Sequence, residues 1–337
     1  MSNELRIGTR GSQLALYQAN WVKDQLLRAH PGLSVTLIKI KTTGDKIQDA
    51  PLAKIGGKGL FVKEIEEALL EKRIDLAVHS IKDVPTEFPD GLHLSAITKR
   101  EDPRDVFISR DKVPFRDLPQ GAKIGTSSLR RQAQLLHLRD DFEMIPLRGN
   151  LDTRLKKLWE MNLDGIVLAL AGVKRLGLEE KITEIIPTEI SLPAIGQGAL
   201  GIETRKDDEG VERQIYFLND PVSAVAVSGE RAFLKRLEGG CQVPIAGFGR
   251  TTDLTLRIDG LVGTIDGKKL LRHHVEGPME KAESLGIELA EILLSRGAKQ
   301  ILDEIYQRSA PIVSIENNQI PNENISSPLV GEDEGGG

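Results

Sequence analysis

Cysteine is almost absent: Cys241 is the single one in 337 residues. One thiol excludes an internal disulfide, and it suits a reducing compartment. Aromatic residues make up only 4% of the chain. No apolar run approaches the ~20 residues a membrane-spanning helix needs, and the longest, around 166–171, is strand-sized. Residues 1–6 lack the basic-then-apolar pattern of a secretory leader. Together these features predict a cytoplasmic protein with no membrane partner. A basic excess is missing too. The formal charge is −5, but residues 310–337 hold five acids and no lysine or arginine, which leaves 45 acids against 45 bases in the rest of the chain. A neutral body argues against nucleic acid as a partner. The tail, polar and without an aromatic residue, reads as disordered.

What is present is the balance of a globular protein, with 39% hydrophobic and 28% charged residues. The length exceeds one ordinary core and predicts two or three domains. Over the first two hundred residues, short β-rich runs alternate with helical periodicity, the pattern of α/β layers. Strands are expected at 5–8, 35–40 and 74–79. Ser12 is placed to cap a helix that turns Leu14, Ala19, Val22 and Leu26 to a core. A mobile loop is expected over 41–59 and a helix over 60–72. A second series follows, with strands at 106–109, 122–125, 144–147 and 165–171 and helices at 128–139 and 152–161. Residues 200–203 read as a returning strand. Beyond Pro221 the character changes to a smaller α+β unit: a helix over 221–237, strands at 254–261 and 269–275 joined by an Asp266-Gly267 turn, and a helical pattern over 279–306.

Several familiar motifs fail in context. The glycines at 196, 198 and 201 match G-x-G-x-x-G, but a strand follows them where a dinucleotide site needs a helix. Gly56-Gly57-Lys58-Gly59 lacks the remainder of a phosphate loop. The six histidines (His30, His79, His93, His137, His273, His274) show no metal-ligand spacing, and no metal is expected. The arginines say more. Arg10 follows the first strand. Arg130 and Arg131 follow Gly125-Thr126-Ser127-Ser128, and Arg148 precedes Gly149-Asn150, with Arg154 in the next helix. In open α/β sheets, strand C-termini and helix N-termini line the ligand crevice and favour anions. Solvated surface arginines are the plain alternative for any one of them, but as a set they suit several carboxylates or phosphates. Ser80-Ile81-Lys82-Asp83 ends a buried strand at the same kind of rim. Asp83 there is either half of a solvent ion pair or a carboxylate for proton transfer and cation stabilisation. A lone cysteine is ordinarily a small buried hydrophobe. Gly239-Gly240 before Cys241 and Pro244 after it instead suggest a loop. With no Cys-His dyad, a permanent attachment point suits this thiol better than a protease-like nucleophile.

Taken in order, these segments resemble the porphobilinogen deaminase (hydroxymethylbilane synthase) family. The likeness runs from about residue 6 to 298. It includes I-G-T-R-G-S-Q-L-A-L at 7–16, K-T-T-G-D at 41–45, G-G-K-G-L-F at 56–61, A-V-H-S-I-K-D-V-P-T at 77–86, R-E-D-P-R-D at 100–105, G-T-S-S-L-R-R at 125–131, L-R-G-N-L-D-T-R-L at 147–155, L-P-A-I-G-Q-G-A-L at 192–200 and the Cys241 loop. Gln13 and the acidic tail depart from the family pattern. The resemblance implies two α/β domains like type II periplasmic binding proteins, at 1–99 with 200–218 and at 100–199. It places a smaller α+β domain at 219–309, ahead of the tail at 310–337. It implies a transferase that deaminates and joins four porphobilinogen molecules on a dipyrromethane cofactor and releases a linear tetrapyrrole by hydrolysis.

By position, Cys241 would hold the dipyrromethane through a thioether. Asp83 would assist ammonia loss and stabilise the azafulvene cation. Cofactor contacts would come from Lys82, Asp83, Ser80, Thr126, Ser128, Arg130, Arg131, Arg148, Gly149 and Arg154. Substrate contacts would come from Arg10, Ser12, Gln18, Arg148, Arg154, Arg175 and Gln197, with Lys54 and Lys58 on a covering loop. A monomer is implied. A two-lobed binding protein without chemistry and a phosphate-handling transferase are the rival classes. The first leaves Cys241 and the third unit without a purpose, and the second lacks a nucleotide loop.

Overall fold

The computed structural model describes residues 4–46, 62–239 and 243–309. Two five-stranded mixed sheets and one three-stranded sheet organise them. The first sheet holds β1 (Glu4–Thr9), β2 (Ser34–Lys39), β3 (Leu76–Ser80), β4 (Leu92–Ile97) and β10 (Leu200–Arg205), in the order β2-β1-β3-β10-β4. The second holds β5 (Asp105–Ser109), β6 (Lys123–Gly125), β7 (Glu143–Ile145), β8 (Gly165–Ala169) and β9 (Glu184–Ile186), in the order β7-β6-β8-β5-β9. The two orders are equivalent. Three parallel strands are followed by one antiparallel strand and then an edge strand. In each sheet the antiparallel strand, β10 or β5, arrives directly from the other sheet. The lobes are therefore joined by two crossing segments, residues 98–104 and 187–199.

Helices cover the sheets. They are α1 (Gln13–Ala29), α2 (Lys63–Leu70), α3 (Leu129–Leu138), α4 (Leu151–Glu160), α5 (Leu170–Arg175) and α6 (Glu209–Ile215). The Ser12 hydroxyl accepts from the Ala15 amide at 3.2 Å, so α1 starts where its cap predicts. Its apolar stripe, Ala19, Val22 and Leu26, buries against Leu5, Ile7 and Leu76. The third unit packs α7 (Pro221–Arg236), α8 (Ala282–Leu293) and α9 (Lys299–Ser309) with β11 (Ile245–Thr252), β12 (Thr255–Gly263) and β13 (Leu270–Pro278).

Some sequence expectations shift. Within the loop expected over 41–59, Thr43–Lys46 forms a helical turn, because the Asp45 carboxylate accepts from the Thr42 hydroxyl at 2.8 Å and draws the chain round. The rest of that loop, with Lys54 and Lys58, lies outside the described residues, as do Cys241 and the tail. The helix expected over 60–72 spans only Lys63–Leu70 among the described residues. The expected strand over 165–171 ends at Ala169, where α5 begins. The long helix over 279–306 is broken at Gly297, whose φ of +100° leaves the helical region and separates α8 from α9. The strands β4, β9 and β11 were not anticipated. In β11 the glycines hide the signal: a Cβ on Gly249 would sit 3.0 Å from the Ala226 carbonyl oxygen, so the strand can lie on α7 only without one.

Candidate active site in the cleft between the lobes

The chemistry-bearing residues sit where the strands end. β1 runs into Arg10, β3 into the turn Ile81–Asp83, β6 into Thr126 and the N-terminus of α3, and the chain beyond β7 into Arg148 and α4. Lys82 belongs to the first lobe, yet Arg130, Arg131 and Asp105 of the second act on its charge. Arg154, in turn, is coupled to Arg131, Arg148 and Asp83. Asp83 is solvent-exposed, and its charge acts on both Lys82 and Arg154.

Desolvation governs the cations. It pushes the Lys82 ammonium down to about 8, with Asp83 and Asp105 opposing and Arg131 and Arg130 adding to the fall. It pushes Arg154 down to about 10, and the neighbouring Arg131 and Arg148 push the same way. Burial lowers Arg148 and Arg175 as well. Crowded, partly buried cations are costly unless an anion joins them.

Arg130 and Arg131 share one acid. The Asp105 carboxylate, wholly buried, accepts from Arg130 Nη1 at 2.8 Å and Arg131 Nη2 at 2.7 Å. The Ser191 hydroxyl and Gln197 Nε2 also donate to it, each at 2.9 Å. Burial works to raise its pKa, but the two guanidiniums outweigh that and hold it far below the usual carboxylate range. Neither Asp105 nor Ser191 was singled out from the sequence. The available signal was an acid opening the apolar run Val106–Phe107–Ile108, a position that demands a buried cation as partner.

The remaining sequence candidates divide. Gln197 joins the cluster, its Oε1 accepting from Lys82 Nζ at 3.4 Å. Gln18 Nε2 donates to Ser80 Oγ at 3.0 Å behind it. Ser12 and Ser128 use their hydroxyls to cap α1 and α3, and Thr126 Oγ1 accepts from the Ser128 amide at 3.2 Å. Gly149, at φ +117°, lets its carbonyl accept from Arg154 Nε at 2.9 Å. Arg10 is paired with Asp45 at 2.5 Å, and Arg175 donates to the Gly198 carbonyl at 2.7 Å. A separate depression lined by Arg6, Asp75 and Asp208 lies at the opposite strand ends. Its charges are already matched, Arg6 with Asp75 at 2.8 Å and Asp208 with Arg205 at 2.6 Å, so it offers an anion little.

Cys241 itself is outside the described residues, but both flanks of its loop are anchored. Before it, the Glu238 carbonyl accepts from the Tyr306 hydroxyl at 2.9 Å; after it, Val243 is buried. Helix α7, which leads into the loop, docks on the chain just after Asp83: Arg231 donates to the Val84 and Pro85 carbonyls at 3.3 and 2.6 Å. The helix that precedes the cysteine in the chain is thus tied to the turn that carries the acid.

Comparison with known proteins decides the family. Residues 5–213 match the model of the porphobilinogen deaminase dipyrromethane cofactor binding domain, and residues 224–295 match that of the porphobilinogen deaminase C-terminal domain. The chain belongs to the porphobilinogen deaminase family. It is 61% identical over 304 residues to the porphobilinogen deaminase of Geotalea uraniireducens, across 90% of this chain and 95% of that one. It is 60% identical over 305 residues to that of Geobacter metallireducens, across 90% and 96%. Among solved structures, the periplasmic VFT2 domain of Bordetella pertussis BvgS is 12% identical with a TM-score of 0.39, across 63% of this chain and 85% of that one. So low a score adds nothing to the sheet topology, on which the two-lobe description rests.

A family cofactor must fit the residues that would hold it. Here Arg148 Nη2 and Arg131 Nε are buried with no hydrogen-bond partner among the described residues, beside an Arg154 that has no acid salt-bridge partner there. Orphaned guanidinium nitrogens facing an excess of positive charge suit a group bearing several carboxylates. The residues fit.

Proposed function

We propose that this chain is a transferase that deaminates porphobilinogen and joins four units head to tail on a covalently held dipyrromethane, then releases linear hydroxymethylbilane by hydrolysis. The observation that carries this reading is the pairing of an exposed carboxylate, Asp83, with a surrounding surplus of desolvated cations, Lys82, Arg131, Arg148 and Arg154. The cations suit the acetate and propionate groups of substrate and cofactor, and the carboxylate suits the positive charge that develops as ammonia leaves. When bound through Cys241, the dipyrromethane supplies the free pyrrole carbon on which the chain grows.

The chain's own residues then divide the work. Arg130, Arg131, Arg148 and Arg154 hold carboxylates of the cofactor, with Lys82, Ser80, Thr126, Ser128 and the Gly149 backbone around them. Arg10, Ser12, Gln18, Arg175 and Gln197, together with Arg148 and Arg154, line the substrate's side. Asp83 accepts hydrogen bonds from pyrrolic N–H groups and opposes cationic charge. Lys54 and Lys58 belong to a covering loop. The domains run as 1–99 with 200–218, 100–199 and 219–309, and the protein works as a cytoplasmic monomer.

Intact-mass measurement tests the reading directly. Protein made in cells is expected to exceed its chain mass by one dipyrromethane, and Cys241→Ala to lack both the increment and turnover. An unmodified thiol in fully active enzyme contradicts it.

A further inference from the structure

The buried hub at Asp105 has no place in the division of work above, although it touches three of the residues named there. We propose that Asp105 is a positioning residue for the cleft: it anchors Arg130, Arg131 and Gln197, and through the Gln197 side chain it orients Lys82 beside Asp83. The inference rests on the reading of the cleft as a carboxylate-binding site.

The geometry is a chain of directional contacts. One Asp105 oxygen accepts from Arg131 Nη2 and Gln197 Nε2, the other from Arg130 Nη1 and Ser191 Oγ. Each guanidinium also donates to a backbone carbonyl, Arg130 to Leu192 at 2.7 Å and Arg131 to Val167 at 2.9 Å, so neither can swing freely. The Gln197 amide donates its nitrogen to Asp105 and to the Pro103 carbonyl, at 2.9 and 2.6 Å, and that orientation turns its oxygen toward Lys82 Nζ. Asp105 opens β5 directly after one crossing segment, and Gln197 lies in the other. The acid therefore registers both crossings against the arginines of the second lobe.

Charge gives the hub a second effect. Around Lys82 stand two acids, Asp83 on its own turn and Asp105 on β5, and two cations, Arg130 and Arg131 on α3. The balance is even only while Asp105 is ionised. Replacing that carboxylate by a neutral amide leaves Lys82 facing two guanidiniums and one acid, so its ammonium gives up its proton at lower pH.

The experiment uses loaded enzyme and reads Lys82 itself, as the pH dependence of its acylation by acetic anhydride, mapped by peptide mass. Asp105→Asn is expected to move the midpoint down by about one pH unit and to lower the fraction of protein carrying cofactor. Asp105→Glu keeps the charge and is expected to hold the midpoint near the parent's even where packing costs it thermal stability. Gln197→Leu cuts the bridge, together with its bond to the Pro103 carbonyl, and spares the Asp105–arginine pairs; it is expected to move the midpoint in the same direction by less. Equal losses of melting temperature in both Asp105 variants, with an unmoved Lys82 midpoint and full cofactor loading, would make the acid a core ion pair and overturn the proposal. Arg131→Leu separates this from the reading beneath it. Normal cofactor loading and turnover in that variant removes the carboxylate site as a whole, whereas a loss there with a parent-like Asp105→Asn removes the positioning role alone.

Discussion

At the scale of single residues, Asp83 and the arginines sort by what they leave behind when removed. Asp83 is exposed. Asp83→Asn is therefore expected to retain the parent's melting temperature while turnover falls by two orders of magnitude or more, roughly the worth of a charge aimed at a developing cation. Asp83→Glu keeps the charge one methylene away and should fall between the two. Ammonia release and thermal unfolding on the same samples check this; normal release from the Asn variant removes the residue from the chemistry. Arg148 and Arg130 should behave oppositely to each other in stability. Arg148 has a buried nitrogen without a hydrogen-bond partner among the described residues and is disfavoured by its own burial. Arg148→Leu should thus leave unfolding unchanged or raise its midpoint, yet impair cofactor loading. Arg130→Leu breaks half of a fully buried ion cluster and should cost about 2–4 kcal/mol in urea unfolding, although Arg131 still neutralises Asp105. Identical stability changes in the two variants would contradict this division.

At the scale of elements, helix α2 carries an acid into the first lobe's core. Glu66 is buried near Glu203 of β10, which is itself wholly buried and hydrogen-bonded to His79 of β3 at 2.8 Å. Burial first, and then the charge of Glu203, raise the Glu66 carboxyl from 4.5 to about 7. The sign follows from linkage: a raised folded-state pKa means the native protein holds the proton more tightly than the unfolded chain. The contribution is complete below pH 4.5 and is lost as pH rises through about 7. Glu66→Gln removes that dependence, so it should flatten the stability profile across this window and stabilise the protein at pH 8 by about 1–3 kcal/mol. Urea unfolding at pH 5 and pH 8 measures both. An unchanged slope with lower stability at both pH values in the variant would show that Glu66 is ionised and paired.

At the scale of the molecule, the third unit is fastened to both crossings as well as to the lobes. Glu230 of α7 is wholly buried and accepts from Arg100 Nη1 at 2.7 Å, the Gly196 amide at 2.6 Å and the Gly249 amide at 2.7 Å. Those donors come from the first crossing, the second crossing and β11. Glu230→Gln keeps the shape but strips the counter-charge from a largely buried arginine, and is expected to cost about 3 kcal/mol or more. If the unit is held chiefly by this hub, unfolding should also lose its single transition, which calorimetry detects. Removing residues from Val313 onward should do neither, because that segment is polar, acidic and without an aromatic anchor in its sequence.

Much of this was legible in the residues themselves. The strand-then-helix alternation, the Ser12 cap, the Asp266-Gly267 turn and the arginines at strand ends all arise from local rules: period, capping chemistry and turn preference act over a few positions. The placement of Arg10, Asp83 and Arg148 just beyond strand ends, and of Arg130, Arg131 and Arg154 in the first turns of the helices that follow, belongs with them. Local rules do not reach across the chain. That β10 lies between β3 and β4, that one aspartate serves two arginines, and that Glu230 gathers two crossings onto a third unit are long-range facts, each linking residues between 19 and 130 positions apart. Even the arginine pair illustrates the divide. Its residue type and position declared affinity for a carboxylate, but only the folded chain could decide that the first carboxylate it meets is its own Asp105, because only folding buries all three groups together.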